Sequence, residues 1–85
     1  MTFGIRWDKK ALDFLRKLDR STSKRIVQKV DEMKSDPRRY LEPLKEIGGY
    51  KLRVGDYRVI IDVHWDTKTI FVLLGGHRKK IYKRV

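Results

Sequence analysis

The chain has no cysteine, which excludes a disulfide framework and a thiolate metal site. It has two prolines and six glycines in 85 residues and no low-complexity stretch. Nothing reads as a linker, so residues 1–85 are expected to form one domain. Long apolar runs are also missing. The longest, Val59–Ile61 and Ile70–Leu74, fall far short of the ~20 residues of a membrane helix. The opening MTFGIRWDKK lacks the apolar region of a signal peptide, and a cytoplasmic location is expected, with no membrane partner. There is no Gly-rich phosphate loop, no nucleophilic Ser or Cys motif and no cofactor fingerprint. His64 and His77, the only histidines, have no neighbouring ligands at metal spacing, so neither a metal site nor a cofactor is expected. The last shortage is of negative charge. Eleven Asp and Glu face 22 Lys and Arg, a net charge of +11. A thermophile-like charged surface would balance its signs, so the excess points to a polyanionic partner.

What is present is organised around GYKLRVGDYRVIIDV, residues 49–63. Period-two alternation predicts a β-hairpin with Gly55-Asp56 as its two-residue loop. Val54 then pairs with Tyr57, and Arg53 with Arg58. Lys51, Arg53 and Arg58 share one face; Tyr50, Leu52 and Val54 share the other. Like charges directly opposite each other destabilise a hairpin. The three cations read either as a solvated strand face or as a site that meets an anion such as a phosphate. Asp56 reads as a turn residue, and Asp62 as an ion-pair partner for Arg58.

Around this hairpin the remaining elements follow from spacing and caps. Residues 2–7 alternate as a short strand. Asp8 is placed to cap a helix over 9–18, with Ala11, Leu12, Phe14, Leu15 and Leu18 as its apolar stripe. Ser21 or Thr22 caps a second helix to about Lys34, with Ile26, Val27, Val30 and Met33 inward; Ser35-Asp36-Pro37 ends it. Residues 37–48 read as a loop with one helical turn, anchored by Tyr40, Leu41, Leu44 and Ile47. His64 falls in a turn over 64–68. Residues 69–74 are apolar on both faces, as in a central strand, and Gly75-Gly76 ends it. The tail HRKKIYKRV is either a short helix, with Arg78 and Tyr82 on one face, or irregular. The class is α+β: an N-terminal strand, a helical hairpin, then a three-stranded antiparallel meander. Together the strands form a four-stranded sheet with a basic open face. Trp7, Trp65, Tyr40, Tyr50 and Tyr57 are candidate base-stacking residues, but their strand phase assigns most of them to the core.

If such a chain is an enzyme, its chemistry rests on Lys, Arg, Tyr and His. That set suits RNA, which carries its own nucleophile in the 2′-hydroxyl. The protein need only orient that group, move protons and stabilise the phosphorane.

The hairpin YKLRVGDYRVIIDV, the LEPLKEI segment, the N-terminal strand with its two helices, and the ending GHRKKIY resemble the RelE/ParE superfamily of toxin–antitoxin systems. The likeness covers nearly the whole chain and is greatest to the RelE branch, archaeal members included. The resemblance implies a RelE-like toxin: a metal-independent endoribonuclease that cuts mRNA in the ribosomal A site and inhibits translation. A RelB-type antitoxin would neutralise it, and operator DNA would be met only through the antitoxin complex. Position by position, the resemblance makes Lys51 the general base or a phosphate ligand. Arg58 becomes a ligand of the scissile phosphate, Arg78 another such ligand or a proton donor, and Tyr82 a residue that orients the nucleophile or stacks on the base. Arg53, His77, Lys79 and Lys80 are expected to bind RNA. Bacterial relatives carry a second lysine where this chain has Gly49. Two other readings share the sequence: a ParE-type inhibitor of DNA gyrase without ribonuclease activity, and a basic nucleic-acid-binding module without catalysis.

Overall fold

The computed structural model describes residues 2–45 and 48–81. Its elements run β1 (Gly4–Trp7), α1 (Lys9–Arg16), α2 (Arg20–Met33), α3 (Pro37–Tyr40), β2 (Leu41–Pro43), β3 (Tyr50–Val54), β4 (Tyr57–His64) and β5 (Thr69–His77). The α+β class, the N-terminal strand, the two following helices and the β3–β4–β5 meander match the expectation. The sheet has five strands rather than four, in the order β1-β5-β4-β3-β2. The extra strand, β2, lies in the stretch expected to be a loop. Three residues containing a proline carry too little alternation to be read as a strand. It exists because Leu41, Glu42 and Pro43 pair with Leu52, Lys51 and Tyr50 at the sheet edge, where a proline is tolerated. β1 runs parallel to β5, with Ile5 beside Ile70 and Trp7 beside Val72.

The helices start at aspartates. Asp8 caps α1 by accepting the Lys10 N–H at 3.3 Å. α2 is capped by Asp19, two or three residues earlier than the expected Ser21 or Thr22. Those two hydroxyls each donate to the Asp19 carboxylate at 2.6 Å, and the Thr22 N–H donates at 3.1 Å. The Ser21 bond first, and then the Thr22 bonds, hold the Asp19 carboxyl well below the usual carboxylate range.

α1 lies chiefly against β5 and α2 against β3, so the sheet holds both helices on one face. The core between them contains Ala11, Ile26, Val30 and Met33 from the helices, and Leu52, Val54, Val59, Ile61, Ile70 and Val72 from the strands. Two expected stripe residues are not inward: Leu12 and Val27 are 38% and 42% exposed. In α2, Ile26, Val30 and Met33 follow one line of three- and four-residue steps, while Val27 is rotated about 100° from it. The strand β5 continues through Gly75 and Gly76 instead of ending there. Phe14 explains the first: its ring carbons would lie 2.6 and 3.0 Å from a Cβ at Gly75. The glycine lets α1 approach the sheet.

On the other face a register shift between Ile60 and Ile61 breaks the β4–β5 ladder, so that Ile60 pairs with Leu74 and Ile61 with Val72. β5 gains Leu73 as the extra residue of a bulge.

Candidate active site

The hairpin register is the expected one: Val54 pairs with Tyr57, Arg53 with Arg58 and Lys51 with Ile60. Gly55 has φ +58, the left-handed conformation that glycine supplies at the first loop position of a type II′ turn. The face away from the helices carries Lys51, Arg53 and Arg58, together with Glu42 and Asp62. Arg53 is exposed and Arg58 half-buried.

The like-charge pair is relieved by the way Arg58 folds. Its Nη1 donates to the carbonyls of Gly55 and Tyr57, both at 2.9 Å, which turns its head toward the loop. Arg78 reaches the same loop from the end of β5. Its backbone N–H donates to the Asp56 carbonyl at 2.8 Å, and its Nε lies 3.9 Å from the Asp56 carboxylate. Two cations twenty residues apart in sequence are thereby placed on one turn. α2 adds a third that the sequence did not single out. The Arg25 guanidinium lies against Gly55, in the space a side chain there would need. Only the pairing of α2 with β3 brings it there, and no local pattern announces it.

Lys51 stands one open-face row away, where diagonal neighbours are separated by roughly 7–8 Å. Its Nζ lies 3.6 Å from Glu42 of β2, a partner hidden in the stretch read as loop. Asp62 does not pair with Arg58. It sits four residues along β4 and bonds His64 Nε2 at 2.9 Å. His64 is the last residue of β4 rather than a turn residue.

His77 closes β5. Its Nδ1 accepts the Lys79 N–H at 3.2 Å, which places the proton of the neutral ring on Nε2. The ring stands edge-on to Tyr57 at 5.8 Å. Tyr57, His77 and Phe14 border a cleft of about 530 Å³ rimmed by Lys10, Lys17 and Lys80. Lys79 and Lys80 are exposed in the turn after β5, and Lys80 N–H donates to the His77 carbonyl. The chain then folds back. Ile81 is fully buried, with its Cδ1 3.2 Å from where a Cβ at Gly76 would stand. Burying an isoleucine contributes roughly 1.5–3 kcal/mol, enough to pin the segment that carries Arg78. The basic face is therefore covered at this end rather than fully open. Tyr82 lies outside the described residues.

The base-stacking candidates fall as their strand phase indicates: Trp7, Tyr40, Tyr50, Tyr57 and Trp65 pack against the core as partly buried residues. Arg38 lies over the Trp65 ring at 4.4 Å. No helix among the described residues is long and apolar enough to cross a membrane.

Comparison with solved structures gives the same architecture. A chain of the toxin–antitoxin complex RelBE2 from Mycobacterium tuberculosis is 25% identical, with a TM-score of 0.83 over 92% of this chain and 100% of that one. A chain of the archaeal RelE–RelB complex from Pyrococcus horikoshii is 27% identical, with a TM-score of 0.78 over 92% and 97%. One from the RelB–RelE complex of Methanococcus jannaschii is 26% identical, with a TM-score of 0.71 over 93% and 96%. No curated protein matches the sequence. The family profile described as the ParE toxin of the type II toxin–antitoxin system, parDE, matches residues 5–82. That match spans nearly the whole chain and both halves of the arginine-lined turn, and by it the chain belongs to the ParE toxin family of type II toxin–antitoxin systems, within the RelE/ParE superfamily.

Proposed function

We propose that this toxin, residues 1–85 acting as one RelE-like domain, is a cytoplasmic, ribosome-dependent mRNA endoribonuclease. The observation that carries the reading is the convergence of Arg58 and Arg78 on the Gly55-Asp56 turn, with Lys51 one row away on the same face. Two guanidiniums at one point suit a phosphate whose charge grows in the transition state. In this reading the RNA 2′-hydroxyl attacks the adjacent phosphorus, and the 5′-oxygen leaves with a proton delivered by Arg78 or by water. The products are a 2′,3′-cyclic phosphate and a 5′-hydroxyl. Lys51 takes the 2′-proton or binds the phosphate, and Glu42 orients it. Arg58 and Arg78 stabilise the phosphorane, and Tyr82 orients the nucleophile or stacks on the base. Arg53, His77, Lys79 and Lys80 hold the flanking strand. A RelB-type antitoxin is the protein partner, as in the named complexes of the similar structures, and operator DNA is met only through that complex.

Primer extension on an mRNA translated by ribosomes tests this. Purified wild-type protein produces codon-phased cuts, and Arg78→Ala lowers their rate about 100-fold or more. The description of the matched family as ParE favours a second reading, inhibition of DNA gyrase. Blocked supercoiling without any mRNA cuts establishes that reading and overturns the first.

A further inference from the structure

Phe71 is the one strand aromatic among the described residues that the register places on the face away from the helices. It shares a row with Arg6 of β1 and Asp62 of β4. His64 stands on the same face, its ring centroid 4.7 Å from that of Phe71 and tilted by 54°. The bond from His64 Nε2 to Asp62 fixes that imidazole. On the next row β1 offers only Gly4, paired with Thr69. A Cβ at Gly4 would meet nothing nearer than the Lys68 carbonyl oxygen at 3.9 Å, so β1 sets no side chain on this flank of the half-buried Phe71. On the other side Arg6, Phe71 and Leu73 line a hollow of about 380 Å³, and Leu73 is there because of the β5 bulge.

A phenyl ring with an accessible side and a guanidinium beside it offers the two contacts an unpaired nucleotide uses, a stacking surface and a phosphate ligand. The location fits. Four residues of β4 separate Arg58 from Asp62, about 13 Å at strand rise, along the face that carries Lys51. Locally Arg6 is the cation, with Asp62 on its row and Asp8 also lining the hollow, in a chain whose net charge of +11 favours a polyanion. We propose that Phe71, braced by His64 and flanked by Arg6, is a base-stacking subsite for single-stranded RNA, a few nucleotides from the phosphate held at the hairpin turn. This subsite rests on the ribonuclease reading and adds to it a second point of substrate contact.

The test uses a short single-stranded RNA with 2-aminopurine walked through its positions, titrated with the full chain at low salt. Wild-type protein quenches one position. Phe71→Leu keeps the apolar bulk but removes the aromatic plane; it abolishes that quenching and weakens binding about tenfold. Phe71→Trp retains both. Arg6→Gln, at an exposed position, weakens the same quenching and serves as the second variant if Phe71→Leu fails to fold in a thermal melt. Wild-type quenching and affinity in Arg6→Gln, or in a folded Phe71→Leu, overturn the subsite and leave Phe71 as a surface for protein contact. If Arg58→Ala still weakens binding in that case, the phosphate contact at the hairpin turn stands without the subsite. Failure of the wild-type chain to bind the free RNA overturns the subsite, and codon-phased cuts on ribosomes in that case leave the ribonuclease reading standing without it.

Discussion

Gly49 holds a backbone conformation that a lysine cannot adopt without strain. Its φ is +75, and a Cβ there would lie 3.0 Å from the Ile61 carbonyl oxygen. That oxygen belongs to a central strand and cannot swing away as a side-chain end would. The bacterial lysine at this position is thus excluded by the path of the chain into β3, and cannot be restored by substitution alone. Gly49→Lys is expected to lose about 1–3 kcal/mol of stability without speeding RNA cleavage. Thermal melting together with the cleavage assay checks this, and a faster enzyme with an unchanged melting temperature would contradict it. In the ribonuclease reading the cationic work then falls to groups already in place. Lys51 is held by Glu42. Arg58 reaches two carbonyls, offsetting a cross-strand repulsion of roughly 0.2–1 kcal/mol against Arg53.

The start of α2 shows how one cap governs an element. Asp19 accepts from Ser21 and Thr22, and these bonds favour its ionised form. Its folded pKa lies below the ordinary 3.8. Its contribution is therefore fully present above that value and is lost as pH falls through the lowered pKa. Asp19→Ala is expected to melt several degrees below wild type at neutral pH. The gap should narrow as pH drops below 3.8, read by circular dichroism across an acid series. A gap that persists in strong acid would show that the carboxylate bonds are not its source. Other features at this scale differ in how far the sequence reveals them. The β3–β4 register was legible because period two and the Gly55-Asp56 turn act over neighbouring residues. The sequence does not single out Asp19, because Ser21 and Thr22 are equally good cap types and nothing in it shows that their hydroxyls point back. β2 and the Lys51–Glu42 pair were not legible, since each depends on a partner in another segment. The cations of the site were visible as a face. The convergence of Arg78 and Arg25 on the turn was not, because a β5-to-turn hydrogen bond and helix-on-sheet packing create it. Phe71 was hidden in a strand apolar on both faces, where periodicity cannot tell inside from outside.

At the scale of the molecule, one sheet separates two kinds of work. Its helix-covered face supplies the core, and its other face collects Arg6, Lys51, Arg53 and Arg58 across β1, β3 and β4, between the turn at one end and Phe71 toward the other. A net charge of +11 is spread over a body of 33 × 28 × 22 Å, so association with RNA should be dominated by counterion release. Each phosphate neutralised contributes about 0.7 to the slope of log affinity against log salt for a single strand. The two parts of the proposed track then leave different signatures. Arg58→Ala removes a phosphate contact and should reduce the magnitude of the slope by about 0.7. Phe71→Leu removes stacking, which releases no counterion, and should weaken binding at every salt concentration with the slope unchanged. Fluorescence anisotropy over a salt series measures both. Parallel lines for wild type and Phe71→Leu, with a shallower line for Arg58→Ala, are the expected pattern. A slope that changes with Phe71 and not with Arg58 would place the phosphate contacts at the wrong end of the sheet.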